Sequence, residues 1–225
     1  MTMPFYVPPE QQMKDRAEFA RKGISRGRSI VACQYQDGIL FVAENPSKTL
    51  RKISEIYDRI AFAGVGKYNE FDQLRQAGVR AADLKGYQYA RDDVDARSLA
   101  NQYAQMMGHI FTHDQKPLEV EILVAEIGHE VSHDRLFHIL YDGTVMDENR
   151  FSVLGGDADP ISERMNTAFV ANATLSIALK ACASSLSGPD KTLAAEDLEV
   201  AVIERDASRR SFRRIESAEV TLLLG

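Results

Sequence analysis

Gly23-Ile24-Ser25-Arg26-Gly27 has the spacing of a nucleophile elbow, in which a sharp strand-to-helix turn exposes a serine hydroxyl for attack on a carbonyl. Here the order is reversed: a helical segment precedes the string and a strand pattern follows it. The stretch therefore reads as a helix-to-strand connector. Gly64-Val65-Gly66-Lys67 stands between a strand pattern and a helix, where a phosphate could meet free amides at the helix start. It lacks both the spacing of a P-loop and the third glycine of a dinucleotide motif, and reads as a plain turn. His109 and His113, and again His129 and His133, are four residues apart, a spacing that can present two imidazoles to zinc. No HExxH glutamate accompanies either pair, so both read as partly exposed histidines without a metal.

A different chemistry needs Thr, Ser or Cys at the start of the first strand, freed by cleavage so that its own α-amine serves as base. That strand start reads Arg26-Gly27-Arg28-Ser29-Ile30, and Arg28 is no nucleophile. Gly143-Thr144 also offers a hydroxyl after a glycine, but it falls in a hairpin where cleavage would cut the core in two.

The elements around these residues follow from the pattern. Met1–Pro9 lacks periodicity and reads as an irregular tail. Pro8-Pro9 and Glu10 suit a helix start, and a helix is predicted over about 10–22, stopping near Gly23. Its apolar face, Met13, Ala17 and Ala20, is thin, so it must pack on a neighbouring subunit or on top of the domain. Strands are predicted at Ser29–Tyr35 and Ile39–Glu44 around Asp37-Gly38, a hairpin signal, then at Leu50–Ile56 and Arg59–Ala63. Gly64-Val65-Gly66 is expected to break the pattern before a helix with Phe71, Leu74, Gly78 and Ala81 inward. A second helix carries Leu99, Tyr103, Met106, Met107, Ile110 and Phe111. Strands return at Val120–Ile127, Leu136–Tyr141, Thr144–Asp147 and Phe151–Leu154. Two more helices follow, one with Ile161 and Met165 inward and one from Thr174 to Leu186. The chain closes with a strand at Leu198–Glu204 and a final strand or short helix. Hairpin-linked strands and paired helices argue for an α+β fold, a four-layer α/β/β/α sandwich of two antiparallel sheets with a helix pair outside each, plus an extra N-terminal helix.

Composition sets bounds on partners. With 225 residues and 44% apolar content, the chain can build one large core, and residues 10–225 read as a single domain behind the tail. A net charge of −6 does not favour non-specific nucleic-acid binding. Arg205, Arg209, Arg210, Arg213 and Arg214 form the one basic cluster and, without a stacking aromatic platform, read as a solvated strand edge. Cys33 and Cys182 both lie in apolar patterns and read as buried thiols of a reducing compartment. No run is long enough to span a membrane, and Met1–Glu10 has no signal-peptide pattern, so a cytoplasmic location is expected. No motif implies a metal or a cofactor.

Beyond these patterns, Ala17-Glu18-Phe19-Ala20-Arg21-Lys22-Gly23 through Arg26-Gly27 resembles the end of the N-terminal helix of proteasome α-type subunits. Asp37–Glu44, Arg51-Lys52-Ile53, Lys116–Val120 and Tyr141-Asp142-Gly143 resemble later family stretches in the same order. Phe41-Val42-Ala43-Glu44-Asn45-Pro46-Ser47 resembles the actinobacterial branch most. The resemblance implies an amino-terminal-nucleophile-hydrolase-like fold without catalysis by this chain, because Arg28 stands where catalytic β subunits carry threonine. Glu44 matches an acidic site residue. Implied partners are identical α subunits in a seven-membered ring, β subunits that hold the active sites, and a ring-shaped ATPase activator. The tail, with Phe5, Tyr6, Val7 and Pro8, would gate the pore. Lys52 would pair with the activator's C-terminal carboxylate, with Glu18, Gly27 and Val65 at other positions of that pocket. Read as a residue alone, Lys52 is a solvated strand lysine. The family's Tyr-Asp-Arg gate motif is absent, and only Pro8-Pro9-Glu10 echoes the motif that follows it. The competing functions are an active β-type threonine peptidase or amidase, which would mature to begin at Thr, Ser or Cys, and a dimeric binding module.

Overall fold

The computed structural model describes residues 8–189, 191–207 and 210–225. Phe5, Tyr6 and Val7 of the expected gate, and Arg209 of the basic cluster, lie outside the described residues.

Apolar alternation builds two five-stranded sheets. The first contains β1 (Ile30–Tyr35), β2 (Gly38–Glu44), β8 (Phe151–Leu154), β9 (Leu198–Glu204) and β10 (Phe212–Ile215), ordered β10-β9-β2-β1-β8. The second contains β3 (Ile53–Tyr57), β4 (Ile60–Gly66), β5 (Val120–Glu126), β6 (Arg135–Ile139) and β7 (Val145–Glu148), in chain order. Pairing is antiparallel in both. The central strands are buried on both faces, because successive side chains point to opposite sides. Ile30, Ala32, Ile39, Phe41, Ala201 and Ile203 fill the layer between the sheets. Val31, Cys33, Leu40, Val42, Val200 and Val202 face outward onto α4 (Ala158–Ala168), α5 (Leu175–Ser187) and α6 (Ser217–Leu224). On the other side Phe62, Ile122, Val124 and Phe137 meet α2 (Tyr68–Gln88) and α3 (Ala96–His113). This is the four-layer α/β/β/α sandwich.

The extra helix, α1 (Pro9–Ile24), begins with proline in its first turn and ends with Arg21 and Lys22 in its last. Ala20 and Ile24 are buried in the inter-sheet layer. The weak apolar face is supplemented by a guanidinium: Arg16 donates to Phe111 O at 2.6 Å, a carbonyl left over at the end of α3, and to Ile110 O at 3.1 Å. The helix thus rests on its own domain.

Several expectations need correction. Helix α1 stops near Gly23, as expected, but Gly23 is its penultimate residue and its role is close packing: a Cβ there would come within 2.5 Å of the Glu119 side chain. Gly64–Gly66 does not break the strand but completes β4. Gly66 has φ of 108°, and a Cβ there would come within 2.0 Å of Glu119 O, so only glycine fits. The hairpin between β1 and β2 turns at Gln36-Asp37, and Gly38 is already paired; its bare Cα admits Ile203 O of β9, 2.0 Å from where a Cβ would stand. Ala82 rather than Ala81 is fully buried on α2, and Met106 is exposed on α3. The chain end is both a strand and a helix, β10 and α6.

The described arginines of the cluster lie on or beside the edge strand β10, as expected, but they are ion-paired rather than merely solvated. Arg205 makes a two-pronged pair with the buried Asp134, at 2.9 and 3.0 Å. Arg210 pairs with Glu55, Arg213 with Glu204 and Glu219, and Arg214 with Glu199. Asp134 and Glu55 belong to the β3–β7 side of the sandwich, so Arg205 and Arg210 bridge the two sheets. Cys33 and Cys182 are free, buried thiols with Sγ atoms 3.4 Å apart.

Candidate functional site

The candidate residues converge on the link from α1 to β1. Ser25 caps α1, its hydroxyl donating to Lys22 O at 3.0 Å, and the Gly27 amide bonds Ile24 O at 2.8 Å. The elbow-like string is therefore a closed connector. A Cβ on Gly27 would lie 2.8 Å from both Val65 Cγ1 and the Gly66 amide nitrogen, so glycine lets this link pass over the end of β4.

Arg28 comes next, and it joins two separate polar groups. On one side its guanidinium pairs with Glu44, the last residue of β2. Lys191 pairs with the same carboxylate. Burial alone would push the Glu44 carboxyl up, but the hydrogen bonds and charges of Lys191 and Arg28 outweigh it and hold it below its ordinary value. These side chains line a cavity of about 580 Å³ with Arg164 and Asp157. The cavity lies where an attacking group at the start of β1 would act. Two cations occupy its carboxylate, and Arg28 is joined by a peptide bond to Gly27, so it offers neither a hydroxyl nor a free amine. Lys191 follows the Ser187–Pro189 loop, and nothing in its sequence neighbourhood marked it.

On the other side, the carbonyl of Arg28 accepts a hydrogen bond from Lys52 Nζ at 2.6 Å. Lys52 was expected on a strand; it stands instead just before β3, half-buried. Its carbonyl accepts from the Gly64 amide at 3.0 Å. Burial drives the Lys52 ammonium down to about 8, with Glu199 and Glu44 opposing the shift and Arg28 adding to it. An ammonium carries three N–H donors, and the Arg28 carbonyl takes one, which leaves donors for an incoming acceptor. Of the other expected pocket residues, Gly27 and Val65 pack against each other here. Val65 has no exposed surface, so its side chain supports Gly27 from below. Glu18 is exposed on α1, and no ion pair among the described residues joins it to Lys52. Pro8, the one gate residue described, is exposed immediately before α1 and accepts the Gln12 amide at 3.0 Å.

The remaining sequence candidates lie elsewhere. His109 and His113 stack at 4.4 Å between ring centres on the exposed face of α3. His129 sits beside Arg59, with Nδ1 3.4 Å from the guanidinium. Among the described residues no group of three or more His, Cys, Asp or Glu is placed to hold a metal. No helix of the described residues is long and apolar enough to cross a membrane. A groove of about 770 Å³ lies along β7, β8 and the end of α1 and includes His138, whose Nε2 is 3.4 Å from Glu121. Neither residue was expected in a site.

The two-sheet sandwich with helices on both outer faces is the fold of the amino-terminal-nucleophile class, here with helix α1 and Arg28 ahead of the opening strand β1. The proteasome subunit family matches residues 24–203. The proteasome subunit alpha of Acidimicrobium ferrooxidans is 61% identical over 100% of this chain and 97% of its own length. That of Thermomonospora curvata is 55% identical over 100% and 98%, and that of Thermobifida fusca 51% over 100% and 91%. The chain belongs to the proteasome subunit family, and these relatives are of its α type.

Proposed function

We propose that this chain is the non-catalytic α-type subunit of a proteasome core particle, working in cytoplasmic, ATP-linked protein degradation. The observation that carries this reading is the link itself. The chain runs on from the end of helix α1 at Ile24 through Gly27 into Arg28, and the arginine guanidinium closes over Glu44 where a nucleophile would need that carboxylate's surroundings open. The sandwich is kept while its reaction centre is filled.

What the subunit does instead follows from the groups it leaves available. Identical copies form a seven-membered ring that stacks on β subunits, which supply the threonine active sites. Residues 1–9 act as a gating tail, with Phe5, Tyr6, Val7 and Pro8 in the pore, and residues 10–225 form the ring-building domain. Lys52 receives the C-terminal carboxylate of an ATPase activator in the groove between copies, with Gly27 and Val65 shaping its wall and Glu18 contributed at its rim. Support for Lys52 is chemical: a half-buried ammonium with spare donors, near its titration point, gains most from a free carboxylate.

Removing residues 1–8 tests the gate. Peptide hydrolysis by an assembled particle should rise several-fold, and an unchanged rate would rule the gate out. The competing reading, an active β-type hydrolase, requires a chain trimmed to begin at Thr, Ser or Cys; intact mass of the purified protein separates the two.

A further inference from the structure

On the inward face of strand β9, Glu199 is the one residue that is not apolar. Glu199 shares the parity of Ala201 and Ile203, which fill the inter-sheet layer, and is 4% exposed. A carboxylate buried so deeply is costly unless every lone pair is used. Its Oε2 accepts from the Lys52 amide at 2.9 Å and from Asn45 Nδ2 at 2.7 Å. Its Oε1 accepts from the Ile53 amide at 3.2 Å and from Arg214 Nη1 at 2.7 Å. Arg214 also donates to Ile53 O at 2.5 Å, and Asn45 to Leu50 O at 2.8 Å. Every one of these bonds ends on the segment that carries Lys52 or on a side chain that also holds that segment.

We propose that Glu199 is the positioning residue for Lys52: with Arg214 and Asn45 it fixes the backbone of residues 45–53 so that the ammonium is presented beside the Arg28 carbonyl. The proposal deepens, and rests on, the docking role given to Lys52 above. It also gives a use to Arg214, which reaches from β10 to both Glu199 and Ile53 O. Glu199 acts in two ways. Its hydrogen bonds set where the lysine stem leaves the backbone, and its negative charge favours the protonated, carboxylate-binding form. The charged groups facing Lys52 are Glu199 on β9, Glu44 at the end of β2 and Arg28 ahead of β1. Arg28 and Lys191 both sit on Glu44, and Arg214 shares Glu199. Glu199 precedes Glu44 among the groups that keep the proton on Lys52.

The test uses the full chain assembled into its ring, as wild type, Glu199→Gln, Asn45→Ala and Lys52→Ala. The first readout is acylation of Lys52 against pH, followed by mass spectrometry; only the neutral amine reacts. Glu199→Gln should move the Lys52 midpoint down by about half a pH unit and leave other lysines alone. The second is binding of a short peptide with a free C-terminal carboxylate, compared with the same peptide as its carboxamide. Glu199→Gln should weaken the carboxylate form about tenfold at pH 8 and less at pH 6.5, where Lys52 is protonated in both. The carboxamide should be unaffected. Asn45→Ala changes no charge and should weaken carboxylate binding several-fold, which keeps the test open if Glu199→Gln does not fold. Wild-type midpoint and wild-type binding in Glu199→Gln, or wild-type binding in Asn45→Ala if that variant must serve, overturn the proposal. Wild-type binding in Lys52→Ala overturns the docking role and this proposal together, and is told apart because it appears in Lys52→Ala itself.

Discussion

Arg28 separates two polar groups built from the same residue types, and they behave in opposite ways. On its side-chain face, the Glu44 carboxylate is gripped by two cations, Arg28 and Lys191. On its carbonyl face, the Lys52 ammonium is held by backbone, while the nearby carboxylate, Glu199, is spent on amides and Arg214. The first group has its charge answered internally and faces outward as a closed salt bridge. The second keeps a cation whose donors are not all used. The difference lies in availability: the Glu44 carboxylate is matched by two cations, whereas the Lys52 ammonium gives one bond to a backbone carbonyl.

Four perturbations sharpen or break that contrast. The largest effect is expected for Glu199→Ala. It strands Arg214, Asn45 and two amides in the layer between the sheets, and should lower unfolding free energy in urea by about 3–5 kcal/mol. A loss under about 1 kcal/mol would mean that water replaces the carboxylate and that the segment is not locked. Next comes Lys52→Ala, which should weaken activator docking about ten- to a hundredfold, measured as the concentration that half-saturates stimulated peptide hydrolysis. Urea stability should change little, since the ammonium gives up only one bond to the Arg28 carbonyl. Third, docking should weaken as pH rises through about 8, where Lys52 loses its proton, and should be strongest on the acid side. A flat profile between pH 7 and 9 would remove Lys52 charge from the interaction. The smallest effect is expected for Glu44→Gln, about 1 kcal/mol or less, because its two cations are half-exposed and screened. The sign with pH is fixed by the direction of its shift. Its folded-state value lies below the ordinary 4.5, so its contribution is full above that value and is lost as pH falls through the lower, folded one. Equal costs at Glu44 and Glu199 would erase the distinction between the two groups.

The architecture could be read from sequence because it depends on periodicity. Leu198–Glu204 was legible to the residue, and α3 showed its Leu99-Tyr103-Met107 stripe. Glycine was the weak point. Gly23, Gly38 and Gly66 look like punctuation, yet each is there because another part of the chain passes within reach of its absent Cβ. Such approaches are long-range and leave no local pattern. The site was half legible. The absence of a nucleophile at Arg28 is visible in five residues of sequence, whereas Lys191, 163 positions away by numbering, is joined to Glu44 only by the fold. The pairing of Arg205, Arg210 and Arg214 was hidden for the same reason: their partners Asp134, Glu55 and Glu199 come from other parts of the chain. Glu199 did carry a signal, a lone charge on the inward parity of an apolar strand, which marks a buried carboxylate with a task.

Co-expression of this chain with a β-type subunit, followed by native and denaturing mass measurement and a peptide-hydrolysis assay, tests the central claim most directly. The expected result is a closed particle in which this chain still carries the residues ahead of Arg28, with hydrolysis that depends wholly on the β partner. A chain found trimmed to a Thr, Ser or Cys, cleaving peptides without that partner, would contradict it.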